Sequence, residues 1–117
     1  MIFTETLKKN HEFRRLYAKG KSIVTAYLVV YAGKNRRRAN RVGFTVSTKL
    51  GNAVTRTRIR RRLRELYRLH ETEFRTGMEL VVVARSRAAE AQWRQLERSF
   101  LSACRKLELL RREEDAT

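Results

Sequence analysis

Proline is absent from this 117-residue chain, and cysteine, histidine and glycine are scarce, with one, two and five copies. The single cysteine, Cys104, excludes an intrachain disulfide and fits a reducing compartment. With His11 and His70 as the only histidines, no metal cluster can be assembled. No apolar run approaches the roughly 18 residues of a membrane span. The opening Met1-Ile2-Phe3-Thr4-Glu5 lacks the basic start and long apolar stretch of a secretory signal, so a cytoplasmic protein is expected. Paired carboxylates around a recognisable site, a nucleophile elbow and a glycine-rich phosphate loop are all missing. These absences argue against a lone catalyst and for a binding protein or a subunit whose chemistry lies elsewhere.

Acidic residues are few as well: 12 Asp and Glu stand against 28 Lys and Arg, a formal net charge of +16. Such an excess calls for an anionic partner of high charge density. The length suits one domain, residues 1–117, large enough to bury a core without staples. Self-repulsion opposes compaction, and native stability is only about 5–15 kcal/mol to begin with. The free protein is therefore expected to be marginal in low salt and to gain stability from sulfate, phosphate or RNA. Thermal unfolding in dilute chloride with and without sulfate checks this; an unchanged midpoint counts against it.

The chain is organised around Arg41–Arg68, RVGFTVSTKLGNAVTRTRIRRRLRELYR. Val42, Phe44 and Val46 alternate with Gly43, Thr45 and Ser47, which predicts a half-buried strand. A turn at Lys49-Leu50-Gly51-Asn52 leads into a helix, where Ile59, Leu63, Leu66 and Tyr67 share one face. Thr57, Arg61, Arg64 and Arg68 point the opposite way, with Arg58 and Arg60 on the flanks and Arg56 and Arg62 nearer the apolar edge. Only Glu65 offsets these arginines, and like charges at i,i+3 and i,i+4 repel. A solvated face would mix signs. A helix of this kind makes sense with a polyanion on it, and arginine's planar fork suits phosphate oxygens and also stacks on bases.

Upstream, Asn10 is the expected N-cap of a helix over 11–19, with Phe13, Leu16 and Tyr17 on one side and Gly20 at the C′ position. Ser22–Val24 and Tyr27–Ala32 read as strands joined by a bend near Thr25-Ala26. Gly33–Asn40 reads as a hairpin loop carrying four cations. Met78–Ala84, with Val81, Val82 and Val83, is expected to be a central buried strand. Trp93, Leu96, Phe100, Cys104 and Leu107 form the core stripe of a last helix, in which Cys104 is an inert buried thiol. The acidic end, residues 113–117, is expected to fray. The element order is α-β-β-β-α-β-α.

Lys49-Leu50-Gly51-Asn52-Ala53-Val54 running into Arg56-Thr57-Arg58-Ile59-Arg60-Arg61 resembles the signature of the bacterial ribonuclease P protein component. Leu7-Lys8-Lys9-Asn10, Phe13, Gly20, the strand ending at Tyr31, Arg41-Val42-Gly43 and Val81–Arg85 extend the resemblance to roughly residues 7–107. Thr57 stands where that family carries asparagine, keeping a hydroxyl but losing the amide's paired donor and acceptor. Thr48 stands where a lysine is common. The resemblance implies an α+β sandwich with a four-stranded sheet and a left-handed β-α-β crossover. It implies a 1:1 partnership with ribonuclease P RNA, which holds Mg²⁺ and cleaves precursor tRNA to form the mature 5′ end. Lys49, Asn52, Arg56, Thr57, Arg58, Arg60, Arg61, Arg64 and Arg68 would face the RNA subunit. Phe13, Tyr17, Ser22 and Tyr31 would line a cleft for the single-stranded 5′ leader, and the protein itself would hold no metal.

A ribosomal or ribosome-assembly protein shares the charge and the arginine-rich helix but has no preference for a leader-bearing tRNA. A helix-turn-helix regulator fits less well, because a strand rather than a scaffold helix precedes the basic helix. A stand-alone nuclease lacks its catalytic groups.

Overall fold

A computed structural model describes residues 3–35 and 37–112. The expected frayed end at 113–117 and Arg36 of the cationic loop lie outside the described residues. The elements run β1 (Thr4–Thr6), α1 (Asn10–Lys19), β2 (Lys21–Val24), β3 (Leu28–Lys34), β4 (Asn40–Thr45), α2 (Ala53–His70), β5 (Met78–Ala84) and α3 (Trp93–Lys106). The strands form one mixed sheet in the order β1-β4-β5-β3-β2.

Two expectations about the sheet are corrected. The sheet has five strands rather than four, because Thr4–Thr6 pairs in parallel with β4, Thr4 opposite Asn40 and Thr6 opposite Val42. Thr-Glu-Thr has no apolar alternation to announce a strand; its ladder and a 2.6 Å hydrogen bond between the Thr4 and Tyr67 hydroxyls hold it. The Gly33–Asn40 segment is not a hairpin loop either. β3 and β4 flank β5 on opposite sides, β3 antiparallel and β4 parallel to it, so this segment crosses the end of the central strand. β5 is central, with Leu80, Val81 and Val82 buried, as its unbroken apolar run requires.

Strand alternation divides the sheet into unequal faces. Leu28, Val30, Val42, Leu80 and Val82 meet Ile59, Leu63, Leu66 and Tyr67 of α2 and Leu96, Phe100 and Cys104 of α3 in the main core. Burial pushes the Cys104 thiol well above its ordinary pKa, consistent with an inert side chain. The opposite face carries α1 over a much smaller apolar patch of Leu7, Leu16 and Val81, with Phe13, Tyr31 and Val83 at its margin.

Because that patch is small, α1 is seated by other means. Its first residue is Asn10, and Lys9 takes the N-cap place expected for Asn10; the Lys9 N–H donates to the Glu12 carboxylate at 3.2 Å. Glu12 and Glu79 are buried beneath the helix, where Arg41 pairs with Glu12 and Arg15 donates to both Glu79 oxygens at 2.6 and 3.1 Å. Burial pushes the Glu12 carboxyl up, but the Arg41 guanidinium and the Lys9 N–H outweigh it and hold the group below the ordinary range. At the far end, Gly20 is extended (φ −74°, ψ 158°), not left-handed as a C′ glycine would be. Glycine is required there for closeness: a Cβ would lie 2.6 Å from the Leu16 carbonyl oxygen and 2.9 Å from that of Ala32.

His70 ties the end of α2 to α3, with Nε2 2.9 Å from a Glu97 oxygen and Nδ1 paired to Glu73. Burial alone would lower its pKa; the hydrogen bonds to Glu97 and Glu73 outweigh burial and raise it. A raised folded-state pKa gives stability that is fully present below the unfolded value of about 6.5 and is lost as pH rises through the folded value. Thermal unfolding of the wild type is therefore expected to weaken between about pH 6 and about pH 8.5 by more than that of His70→Gln. Equal declines in the two proteins would reject the coupling.

Candidate nucleic-acid interface

The α2 helix starts where the Asn52 side chain accepts the Thr55 N–H at 2.9 Å, so this asparagine is engaged in capping. Its apolar stripe, Ile59, Leu63, Leu66 and Tyr67, is buried as its spacing requires, which turns Thr57, Arg61, Arg64 and Arg68 to solvent. The arginines then separate by partner. Arg62 reaches along the apolar edge to the carbonyls of Ala88 (3.3 Å) and Ala91 (2.6 Å), and Arg58 reaches that of Ala89 (3.1 Å). These two brace the short helical turn Ser86–Ala89 against α2. Arg56 contacts the Asn52 carbonyl of its own first turn at 3.4 Å, and Arg68 pairs with Glu65. Arg60, Arg61 and Arg64 donate to no acceptor among the described residues. Lys49 is exposed in the short turn Thr48–Leu50, just ahead of the helix.

A second feature lies between α1 and the sheet. Asn10, Phe13, Arg14 and Tyr17 form one wall of an open cleft of 500 Å³, Phe44, Thr45 and Val46 form its floor, and Arg60 closes it from α2. The Tyr17 hydroxyl shares a 2.7 Å hydrogen bond with that of Thr45, and its ring meets Tyr31 edge-on at 5.0 Å. Phe13 lies 6.5 Å from Tyr17, centroid to centroid. The structure thus brings Phe13 and Tyr17 together and places Tyr31 behind Tyr17. Ser22 sits opposite Tyr31 in the β2–β3 ladder, on the same face of the sheet but one strand further out, and does not line the cleft.

Asn10 and Arg14 were missed as cleft residues although the signal was present. Residues 10, 13, 14 and 17 follow i, i+3, i+4, i+7 spacing, a single helix face with an amide and a guanidinium between its rings. Thr45 was equally legible as the residue opposite Phe44 in the strand alternation. Helical spacing places Arg60 only on the α2 surface; its position in the cleft depends on a tertiary contact that no local pattern encodes. A cationic helix face on which Arg60, Arg61 and Arg64 have no acceptor among the described residues, next to an aromatic furrow with a guanidinium at its rim, can bind phosphates on one side and stack unpaired bases on the other.

Comparison with known proteins agrees with this chemistry. The family model described as Ribonuclease P matches residues 1–108. A ribonuclease P protein component from Natranaerobius thermophilus is 43% identical over 107 residues, spanning 92% of this chain and 93% of that protein. The Staphylococcus aureus RNase P protein superposes with a TM-score of 0.82 at 33% identity, over 91% of this chain and 97% of that one. The RNase P protein from Thermotoga maritima gives 0.75 at 27% identity, over 84% and 93%. An α+β fold with a furrowed, arginine-rich surface and these relatives converge on one assignment: the chain belongs to the bacterial ribonuclease P protein family, the protein component of the holoenzyme that processes the 5′ end of precursor tRNA.

Proposed function

We propose that this single RNA-binding domain holds two ribonucleotide chains at once and supplies no cutting group to either. The RNA subunit lies along the outer face of α2, contacted by Lys49, Arg56, Thr57, Arg58, Arg60, Arg61, Arg64 and Arg68, with Asn52 setting the helix start. The single-stranded leader lies in the cleft, where Phe13 and Tyr17 offer ring faces, Tyr31 backs Tyr17 and Ser22 extends the same sheet face outward. The observation that carries this reading is the shared residue: Arg60 belongs to α2 and also closes the aromatic cleft. Stacking is tolerant of sequence because every base has a π-face, as acceptance of many leaders requires. The partner RNA, in 1:1 ratio in the cytoplasm, holds the Mg²⁺ and performs the cleavage. The protein's cations neutralise crowded phosphates, so divalent ions fill their sites at lower concentration. The β4-α2-β5 crossover in this reading has the left-handed sense.

Tyr17→Ala tests the cleft, because part of the Tyr17 ring faces solvent, and an unchanged melting midpoint verifies that losing its contacts with Tyr31 and Thr45 leaves the fold intact. In holoenzyme reconstituted with a bacterial ribonuclease P RNA at low Mg²⁺, the preference for precursor over mature tRNA is expected to drop by about 1–3 kcal/mol, the worth of one stacked base. An unchanged preference places the leader elsewhere. Cleavage by the polypeptide without RNA would overturn the subunit assignment.

A further inference from the structure

The α1 helix has a second flank, and it faces a different cleft. Lys9, His11, Arg15, Lys34, Arg37 and Arg41 surround a concavity of 580 Å³ on the side of the helix away from the aromatic furrow. Glu12 and Glu79 form its floor, and both carboxylates are already consumed, Glu12 by Arg41 and the Lys9 N–H and Glu79 by Arg15. Glu5 at the rim offers only long contacts, 3.5 Å to Arg37 and 3.8 Å to the Arg41 Nε. That Nε is buried and has no hydrogen-bond partner. Among the described residues, Lys9 and Lys34 therefore present exposed charge into a concave surface with no acid paired to them, and Arg37 adds charge answered only by its long, exposed contact with Glu5. Through Lys34 the cleft adjoins a neighbouring one that adds Lys19, Lys21 and Arg75, together with Glu108, which is paired to Arg112.

We propose that this cleft is a second RNA-backbone site, taking the phosphates of the distal 5′ leader after it leaves the aromatic furrow; the proposal rests on the leader lying in that furrow. Continuity selects the occupant. Asn10 lines the furrow while Lys9 and His11 line the cationic cleft, so only the first turn of α1, one helix about 10 Å across, separates them. The RNA subunit is disfavoured because α2 packs on the opposite face of the sheet from α1. Among the described residues the cationic cleft is lined by no Phe, Tyr or Trp, with His11 its one ring, so it offers charge for the backbone rather than a stacking platform for bases.

The experiment uses reconstituted holoenzyme and precursor tRNAs whose leaders are lengthened one nucleotide at a time, with wild type against the triple variant Lys9→Ala, Lys34→Ala, Arg37→Ala. These side chains are exposed and outside the buried ion pairs, and an unchanged melting midpoint verifies the fold. Wild-type affinity is expected to rise in a second step once the leader passes the furrow. In the variant that step disappears, and the salt dependence for long leaders flattens by about 0.7 in log–log slope per lost phosphate contact. Affinity for the shortest precursors and for the RNA subunit stays at the wild-type level. Equal losses for short and long leaders, a loss of RNA-subunit affinity, or a retained second step would each overturn the proposal. Failure of the furrow reading shows separately, as a shortest-leader precursor bound no better than mature tRNA by the wild type.

Discussion

Replacing Arg60, Arg61 and Arg64 together with alanine is expected to weaken RNA-subunit binding by two to three decades at about 0.1 M salt while leaving the protein's melting midpoint in place. The two halves of that expectation have separate grounds. Counterion release gives a log–log salt slope of about 0.9 per duplex phosphate contact, so each contact is worth about 0.9 decade at 0.1 M relative to 1 M. Three lost contacts therefore remove up to about 2.7 decades and flatten the slope by the same amount. Stability is spared because none of the three side chains donates to a protein acceptor among the described residues. Arg62→Ala should do the reverse. It strips hydrogen bonds from the carbonyls of Ala88 and Ala91 and should destabilise by about 1–3 kcal/mol, with a smaller effect on salt dependence. Filter binding across a salt series, paired with thermal unfolding, separates the outcomes. A triple variant that melts early, or whose affinity loss does not depend on salt, would mean that these arginines are structural.

The difference between Arg61 and Arg62 marks the limit of what the sequence could tell. Period-3.6 spacing placed both correctly around α2, Arg61 outward and Arg62 at the apolar edge, because a helix face is a local property. It gave no reason why Arg62 should meet the carbonyls of Ala88 and Ala91, 26 and 29 residues further along the chain. That contact requires the chain to return through β5. The central strand was legible from Met78–Ala84 because burial on both faces leaves an unbroken apolar run. β1 was not, because its pairing with β4 is long-range and its residues are polar. The Gly33–Asn40 segment looks the same in sequence whether its flanking strands pair with each other or with a third, so its role is fixed only by sheet order. The buried pairs of Glu12 and Glu79 were hidden for a related reason: an acid on a basic protein's helix reads as surface until Arg41 of β4 comes under it, and Glu79 of β5 meets Arg15 only once α1 is laid on the sheet.

Gly43 couples the sheet to the aromatic furrow, and Gly43→Val is expected to separate the two proposed RNA-binding faces. Gly43 faces α1 from β4, and a Cβ there would lie 2.6 Å from two carbons of the Phe13 ring and 3.3 Å from the Leu7 Cβ. Phe13 follows Glu12, which Arg41 pins beneath the helix, so relief comes from the half-buried ring swinging into the open furrow or from α1 lifting off its small apolar seat, and either moves the ring from its place beside Tyr17. Overpacking of this kind costs about 1–3 kcal/mol. If α1 lifts, Phe13 and Tyr17 move together and the loss of precursor preference should exceed that of Tyr17→Ala alone; a ring displaced by itself should cost about as much as Tyr17→Ala. RNA-subunit affinity should hold, since α2 packs on the other face of the sheet. Gly43→Ala combined with Phe13→Leu distinguishes clash from ring chemistry: the smaller side chain relieves the contact and restores the melting midpoint, while the missing ring keeps leader discrimination low. If that double variant recovers discrimination as well as stability, Phe13 acts as packing and Tyr17 alone stacks on the leader; if RNA-subunit affinity falls in step with discrimination in Gly43→Val, the two faces are one cooperative surface.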